Sequence, residues 1–254
     1  MKIYKYHFLE KESDVTLISE SKTAILKAKE HLLRNRLILE KFIKKNETFL
    51  TSLLPIKIKT EFEIINLMSE ASVLCDVGPM AAVAGAFADL MLQSMNSPEV
   101  ALVENGGEIA IETKEALKIA LFAGYNQLNL NLGFLIQEKD CPIGIGTSSA
   151  TIGHAISLGQ ADAVTIFASN ATLADAAATR VANEVKGFNI EKSIKDALDI
   201  AENLEGVKGA FICRGNKVGQ VGNLPNFFKI EGNKTQILNE KLNHAFLGEY
   251  EIFE

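Results

Sequence analysis

The chain has no tryptophan, only three cysteines and four histidines, and nowhere a CxxC pair. Three scattered cysteines exclude a complete disulfide framework and a recognisable zinc cluster, which fits a reducing interior. The histidines His7, His31, His154 and His244 are too far apart in sequence to form a local metal motif. GxxxxGK[ST], GxGxxG and GxSxG are all missing, so P-loop, Rossmann and serine-hydrolase mechanisms lose their sequence support. No uncharged apolar run reaches the ~18 residues of a membrane span. The most hydrophobic stretch, Val77 to Met95, contains Gly78-Pro79 and Asp89. The opening MKIYKYHFLEKESD has no apolar segment of signal-peptide length. The expectation is therefore a cytoplasmic protein with no membrane partner. A formal charge of −6 also withholds the basic footprint that non-specific nucleic-acid binding needs.

What is present describes a globular protein. With 254 residues, 47% hydrophobic and 23% charged, the chain can bury the core of one large domain or of two intimately packed halves. Residues 1–19 read as two strands around a charged turn at Lys11 to Asp14. From Ser21, a plausible cap, Ile25, Ala28, Leu32, Leu33, Leu37 and Ile38 recur at helical spacing, which predicts a long helix ending near Lys45-Asn46. Its many Lys and Arg residues read as a solvated face. Residues 63–74 suggest a short helix, and Pro79 suits the first turn of another rich in Ala and Gly. Strand, turn and strand follow over 99–111, and short strands over 118–123, 132–137 and 163–167. Helices are expected over about 172–186 and 191–203, then a hairpin around Arg214-Gly-Asn216. Hairpins with helices grouped between them predict an α+β fold rather than a doubly wound parallel sheet.

Candidate chemistry concentrates between Cys141 and Val185. Gly144 and Gly146 permit close approach to the main chain, while Thr147, Ser148, Ser149 and Thr151 offer hydroxyls and N–H groups suited to phosphate or pyrophosphate. The same composition also describes an ordinary loop. His154 follows directly and suits a phosphate donor or a general base. Asp175 and Thr179, at i and i+4, share a helix face where a carboxylate and a hydroxyl could meet Mg²⁺. Alternatively, Thr172 to Asp175 forms a capping box, the Thr172 hydroxyl taking a helix N–H and Asp175 reaching back. Asp76, before Gly-Pro, could cap a helix, bind a cation or position a ligand group. Asn105-Gly106-Gly107 is either a tight hairpin turn or a chain reversal set against a planar ligand.

Taken in order, Asp76-Val-Gly-Pro-Met-Ala81, Val103-Glu-Asn-Gly-Gly-Glu-Ile109, the Thr-Ser-Ser segment, Ala163-Val-Thr-Ile166 and Ala174-Asp-Ala-Ala-Ala-Thr179 resemble the ApbE-like flavin-binding superfamily. More closely, the chain resembles its UPF0280 branch. The matching region spans about residues 70–186. The resemblance implies an α+β fold of the tunnelling-fold type, internally duplicated: a single domain over 1–254 with FAD held in a cleft between two intimately packed halves.

By motif, Asp175 and Thr179 match a metal-binding D-A-x-x-T. Asn105, Gly106, Gly107 and Glu108 match N-x-G-G-D in part, with the Asn displaced by one position. Ser148 and Ser149 resemble the family's T-S-G, with Ser149 or Ala150 in place of the Gly, and with Gly146 and Thr147 they are the candidate cofactor-binding residues of this segment. Asp76 opens a stretch that matches D-L-G-G-I-A-K-G and His154 resembles the His before D-P-x-T-G; these two are the candidate catalytic residues. Three departures stand out: Pro79 replaces a Gly, Ala82 replaces a Lys, and no D-P-x-T-G follows His154. The resemblance thus implies FAD or a related dinucleotide as ligand, Mg²⁺ as metal, and flavin (FMN) transfer to a protein acceptor, or FAD hydrolysis, as activity. The departures leave open a non-catalytic flavin-binding or carrier protein, or an enzyme acting on another small anionic metabolite. Ala-rich faces are compatible with a homo-oligomer.

Overall fold

The computed structural model describes residues 1–124, 126–149, 159–230, 246–247 and 250–253. A hairpin of β1 (Tyr4–Glu10) and β2 (Ser13–Ser19) opens the chain. Helix α1 (Lys22–Ile43) follows, its N-terminus capped by the Ser21 hydroxyl, which accepts from the Ala24 N–H. Its inward face is Ala24, Ile25, Ala28, Leu32, Asn35 and Leu39, whereas Leu33 and Leu37, expected on the apolar stripe, are exposed. The stripe is narrower than the sequence suggests because only one side of α1 meets the body.

Next come α2 (Glu47–Thr51), α3 (Glu63–Cys75), a 3-10 turn at Pro79–Ala82 and α4 (Val83–Ser94). The irregular chain before α3 is tied to it by hydrogen bonds from the Ile56 and Ile58 N–H groups to the Ser72 and Ser69 hydroxyls. Then follow β3 (Val100–Asn105), β4 (Glu108–Thr113), β5 (Leu117–Ala120), β6 (Leu132–Ile136), β7 (Ile143–Ser148) and β8 (Ala163–Ala168). Helices α5 (Ala171–Glu184) and α6 (Ile190–Asn203) precede the hairpin of β9 (Val207–Arg214) and β10 (Lys217–Gly222). Short strands β11 (Asn226–Lys229), β12 (Phe246–Leu247) and β13 (Glu251–Ile252) complete the described elements.

Nine strands form one sheet in the order β10-β9-β8-β7-β4-β3-β2-β1-β13, and four form another in the order β11-β6-β5-β12. Among the described residues every strand pair is antiparallel except β1 with β13. Alternation along the strands distributes the large sheet's side chains to two cores. On the helical side, Val15, Leu17, Ala101, Val103 and Ala110 pack with α1, α3 and α4. Val164, Ile166, Ala168, Ala210 and Ile212 pack with α5 and α6. The opposite side, with Leu102, Ile109, Ile111, Ile145 and Phe167, packs against Leu117, Ile119, Phe134 and Ile136 of the small sheet. There Phe134 meets Phe167 with ring centroids 4.9 Å apart and Phe211 at 6.0 Å, so phenylalanine fills the large positions of a chain without tryptophan. A sheet covered on both faces explains why every residue of β8 is buried, which reads in sequence as the continuous run AVTIFA. Among the described residues no single helix is long and apolar enough to cross a membrane.

Candidate functional site

Small residues bring three elements unusually close. A Cβ on Gly85 of α4 would lie 2.2 Å from the Ala171 carbonyl oxygen at the start of α5. A Cβ on Gly144 of β7 would lie 1.9 Å from the Asn170 carbonyl carbon, and one on Gly146 would lie 2.5 Å from the Ala174 carbonyl. The two β7 glycines therefore make room for the backbone of α5. They do not form a free loop, because residues 143–148 are a strand paired with β8 from Gly144↔Ala168 to Ser148↔Val164.

At this contact the two helices exchange caps. Asp89 of α4 accepts from the Ala171 N–H at 2.9 Å and the Thr172 N–H at 2.7 Å, and its Oδ2 also takes the Thr172 hydroxyl at 2.5 Å. In return Asp175 of α5 accepts from the Gly85 N–H at 2.9 Å and from the Ala84 N–H, both in the first turn of α4. Each carboxylate thus sits at the positive end of the other helix and satisfies donors that the helix itself leaves free. This corrects the local capping box. The residue that caps α5 is Asn170, accepting from the Leu173 N–H, while Thr172 and Asp175 both point to α4. Sequence spacing gives Asp89 no role, although a lone carboxylate in the apolar run Val77 to Met95 signals a buried partner.

The β3–β4 hairpin reaches the same place. Its turn needs Gly106 (φ 67°) and Gly107 (φ 113°), angles that favour glycine. Asn105, 2% exposed, donates from Nδ2 to the Ala84 carbonyl at 3.0 Å and so ties the turn to α4. The β4–β7 ladder runs from Ile111↔Ile143 to Ile109↔Ile145, and Glu108 and Gly146 are the next residues beyond it. Glu108 shares the helical face of the sheet with Ala110 and is 9% exposed. Burial pushes its carboxyl well above the usual range, and the negative charges of Asp175 and Glu104 add to the shift. Burial likewise pushes Asp175 up to about 7, against the pull of the Gly85 and Ala84 N–H groups. Beside the turn there is room: a Cβ on Gly107 would meet nothing within 4 Å.

The remaining expected site residues separate. Ser148 is buried on the helical face of β7, whereas Thr147 lies on the other face, its hydroxyl 3.2 Å from that of Thr165. Thr179 is half-buried one turn beyond Asp175, and Ser149 is half-buried just past the strand. Asp76 is the left-handed C-cap of α3 (φ 54°) and is exposed. It lines a separate cavity of about 380 Å³ with Cys75, Arg180, Asp199 and Asn203. His154 lies outside the described residues. Cys75 and Cys213 are buried thiols pushed up to about 12 by desolvation, which keeps them protonated rather than nucleophilic.

Glu104, on the opposite face of β3, supplies a pH test. Burial pushes it up to about 7, partly countered by the Gly107 N–H, the Thr16 hydroxyl and Lys5, with Asp14 adding to the rise. Between its ordinary value of 4.5 and about 7 the folded chain holds a proton the unfolded chain has lost. Its stabilising contribution is therefore complete below pH 4.5 and lost as pH rises through 7. Urea unfolding at pH 5 and pH 8 is expected to show Glu104→Gln losing about 1–3 kcal/mol less than the parent over that interval. An equal loss in both proteins would remove Glu104 from the account.

With this geometry in place, three comparisons bear on the chain. A family model described as AbpE bacteria matches residues 2–208. A UPF0280 protein of Methanocaldococcus jannaschii is 38% identical over 231 residues, 90% of this chain and 94% of that protein. One from Methanobrevibacter smithii is 39% identical over 206 residues, 79% of this chain and 87% of the relative. Among solved structures, the ApbE protein of Thermotoga maritima superposes with a TM-score of 0.54 at 13% identity, over 83% of this chain and 94% of that one. The flavinyl transferase ApbE of Pseudomonas stutzeri gives 0.53 at 12% identity, over 87% and 94%. At such identities the superpositions speak for a shared mixed α+β fold.

Proposed function

Because the chain belongs to the UPF0280 family and has an ApbE-like fold, we propose that it binds FAD or a related dinucleotide beside the Gly106-Gly107 turn. With Mg²⁺ it transfers FMN to an acceptor hydroxyl or hydrolyses FAD. The observation that carries this reading is that Asp175 and Thr179 stand one turn apart on α5, with the Glu108 carboxylate close enough to feel the charge of Asp175 and lying beside Gly106 of the hairpin turn. The donor set fits the metal. It consists of oxygen ligands alone, as a hard divalent cation requires. Among the described residues no three His, Cys, Asp or Glu side chains converge on one point, so hydroxyl, backbone and water oxygens would complete the shell.

When bound, the cation would supply Lewis-acid polarisation of a pyrophosphate oxygen. Asp175 and Thr179 would hold it, with Asp175 kept in position by the first turn of α4. Asn105 ties the hairpin turn to α4, and Ser148 offers a hydroxyl from β7. In either reaction the acceptor hydroxyl or water gives up its proton to solvent, its oxygen bonds to the flavin-side phosphorus, the bond from that phosphorus to the bridging oxygen breaks and AMP leaves with that oxygen. The same reading takes the chain as one ApbE-like domain of two intimately packed halves on the tunnelling-fold plan, supported by the reciprocal caps of α4 and α5.

Incubating purified protein with FAD and Mg²⁺ tests the reading. AMP is expected, with FMN either free or covalently attached to an acceptor protein. Tight FAD binding without turnover would replace the enzyme by a flavin carrier. Failure to bind FAD with any divalent ion would move the site to another anionic metabolite.

A further inference from the structure

We propose that Glu108 supplies the second carboxylate of the cation site, so that the cation is shared between β4 and α5. This rests on the cation reading of Asp175 given above and extends it to a residue on a different element.

The two acids differ in how far the fold accounts for them. Asp175 has a structural task, since it caps α4 through the Gly85 and Ala84 N–H groups. Glu108 has none that its surroundings reveal. It is nine-tenths buried, and the only donor to its carboxylate among the described residues is its own backbone N–H. None of the ion pairs among the described residues includes Glu108 or Asp175. The hairpin turn does not need an acid at this position, because Asn105, Gly106 and Gly107 make it. Burying a carboxylate beside a second one without a counter-charge is costly, and the arrangement makes physical sense when a cation lies between them. The neighbouring space is suitable: Glu108 Oε2 is the nearest atom to a Cβ placed on Gly106, at 3.9 Å, and the space beside Gly107 is open. Substrate and water oxygens could enter from that side to complete an oxygen shell.

The test measures binding of Mn²⁺ alone, by the loss of its free electron paramagnetic resonance signal, for the parent chain, Glu108→Gln, Glu108→Asp and Asp175→Asn. The parent is expected to bind. Glu108→Gln should weaken binding by about 10–100-fold or more, and Glu108→Asp, which keeps the charge, should lie within about tenfold of the parent. Metal-free Glu108→Gln should melt no lower than the parent, because it removes a buried like-charge contact. If Asp175→Asn loses Mn²⁺ while Glu108→Gln binds like the parent, Glu108 is no ligand and the cation reading of Asp175 survives. If the parent binds no Mn²⁺, both fall. Should Glu108→Gln fail to fold, a Glu108→Ala variant with unchanged circular dichroism decides: binding about 10–100-fold weaker than the parent, with Glu108→Asp within about tenfold of it, supports the assignment, whereas Glu108→Ala binding like the parent overturns it.

Discussion

Asp175→Asn is expected to cut the proposed Mg²⁺-dependent FAD turnover by about 100-fold or more while leaving the metal-free protein slightly more stable at pH 8, by on the order of 1 kcal/mol. The two effects run in opposite directions because Asp175 does two things. As a carboxylate it is out of its comfort range: burial, helped by Asp89, pushes it up to about 7, so at pH 8 the folded chain carries a charge it would rather neutralise. Asparagine removes that charge and the repulsion felt by Glu108, and its amide oxygen can still accept from the Gly85 N–H. As a proposed ligand, however, the carboxylate has no neutral substitute. Asp175→Ala separates the roles further. It leaves the Ala84 and Gly85 N–H groups without their acceptor, an expected loss of about 1–3 kcal/mol. Asp76→Asn should change neither stability nor cation response by more than about twofold, because Asp76 is an exposed C-cap on another cavity. Urea unfolding with and without Mg²⁺, alongside FAD turnover, checks all three. An Asp175→Asn protein that turns over FAD as the parent does would sink the proposed metal role.

Much of the architecture was legible from local chemistry. The Ser21 cap, the Pro79 entry into α4, the Gly106-Gly107 turn and the Gly215 hairpin are short-range signals, and each appears in the expected place. What local patterns could not reveal was the partner across a contact. Thr172 and Asp175 have the spacing of a capping box, but their nearest donors and acceptors belong to α4, more than eighty residues earlier. The small residues of β7 suggested ligand access, whereas α5 takes up the space. Glu108 was visible only as the end of a partial motif. Its burial depends on where β4 parts from β7, which no periodicity encodes. The family resemblance supplied the order of motifs, and the fold supplied which side chains meet.

Gly85→Ala should be among the most damaging single-methyl additions in the chain, costing about 3 kcal/mol or more. Helix propensity alone argues the other way, since alanine inside a helix is favoured over glycine by about 1 kcal/mol. Geometry outweighs it. The added Cβ would lie 2.2 Å from the Ala171 oxygen, 2.6 Å from the Ala171 carbonyl carbon and 2.9 Å from the Asp175 Cβ. Neither Ala171 atom is the end of a flexible side chain, so relief requires α4 to move away from α5. That movement stretches the Gly85 N–H bond to Asp175 and the bonds from the Ala171 and Thr172 N–H groups to Asp89 together. The loss should therefore exceed simple overpacking and carry a second signature, a drop in Mn²⁺ affinity, because Asp175 leaves its place beside Glu108. Gly107→Ala is the control: its Cβ meets open space, and the cost is only the strain of a left-handed angle at φ 113°, about 1 kcal/mol. Urea midpoints at a shared m-value give the comparison. A Gly85→Ala protein within about 1 kcal/mol of the parent, still binding Mn²⁺ normally, would mean that the two helices are not held in the close contact on which the caps depend.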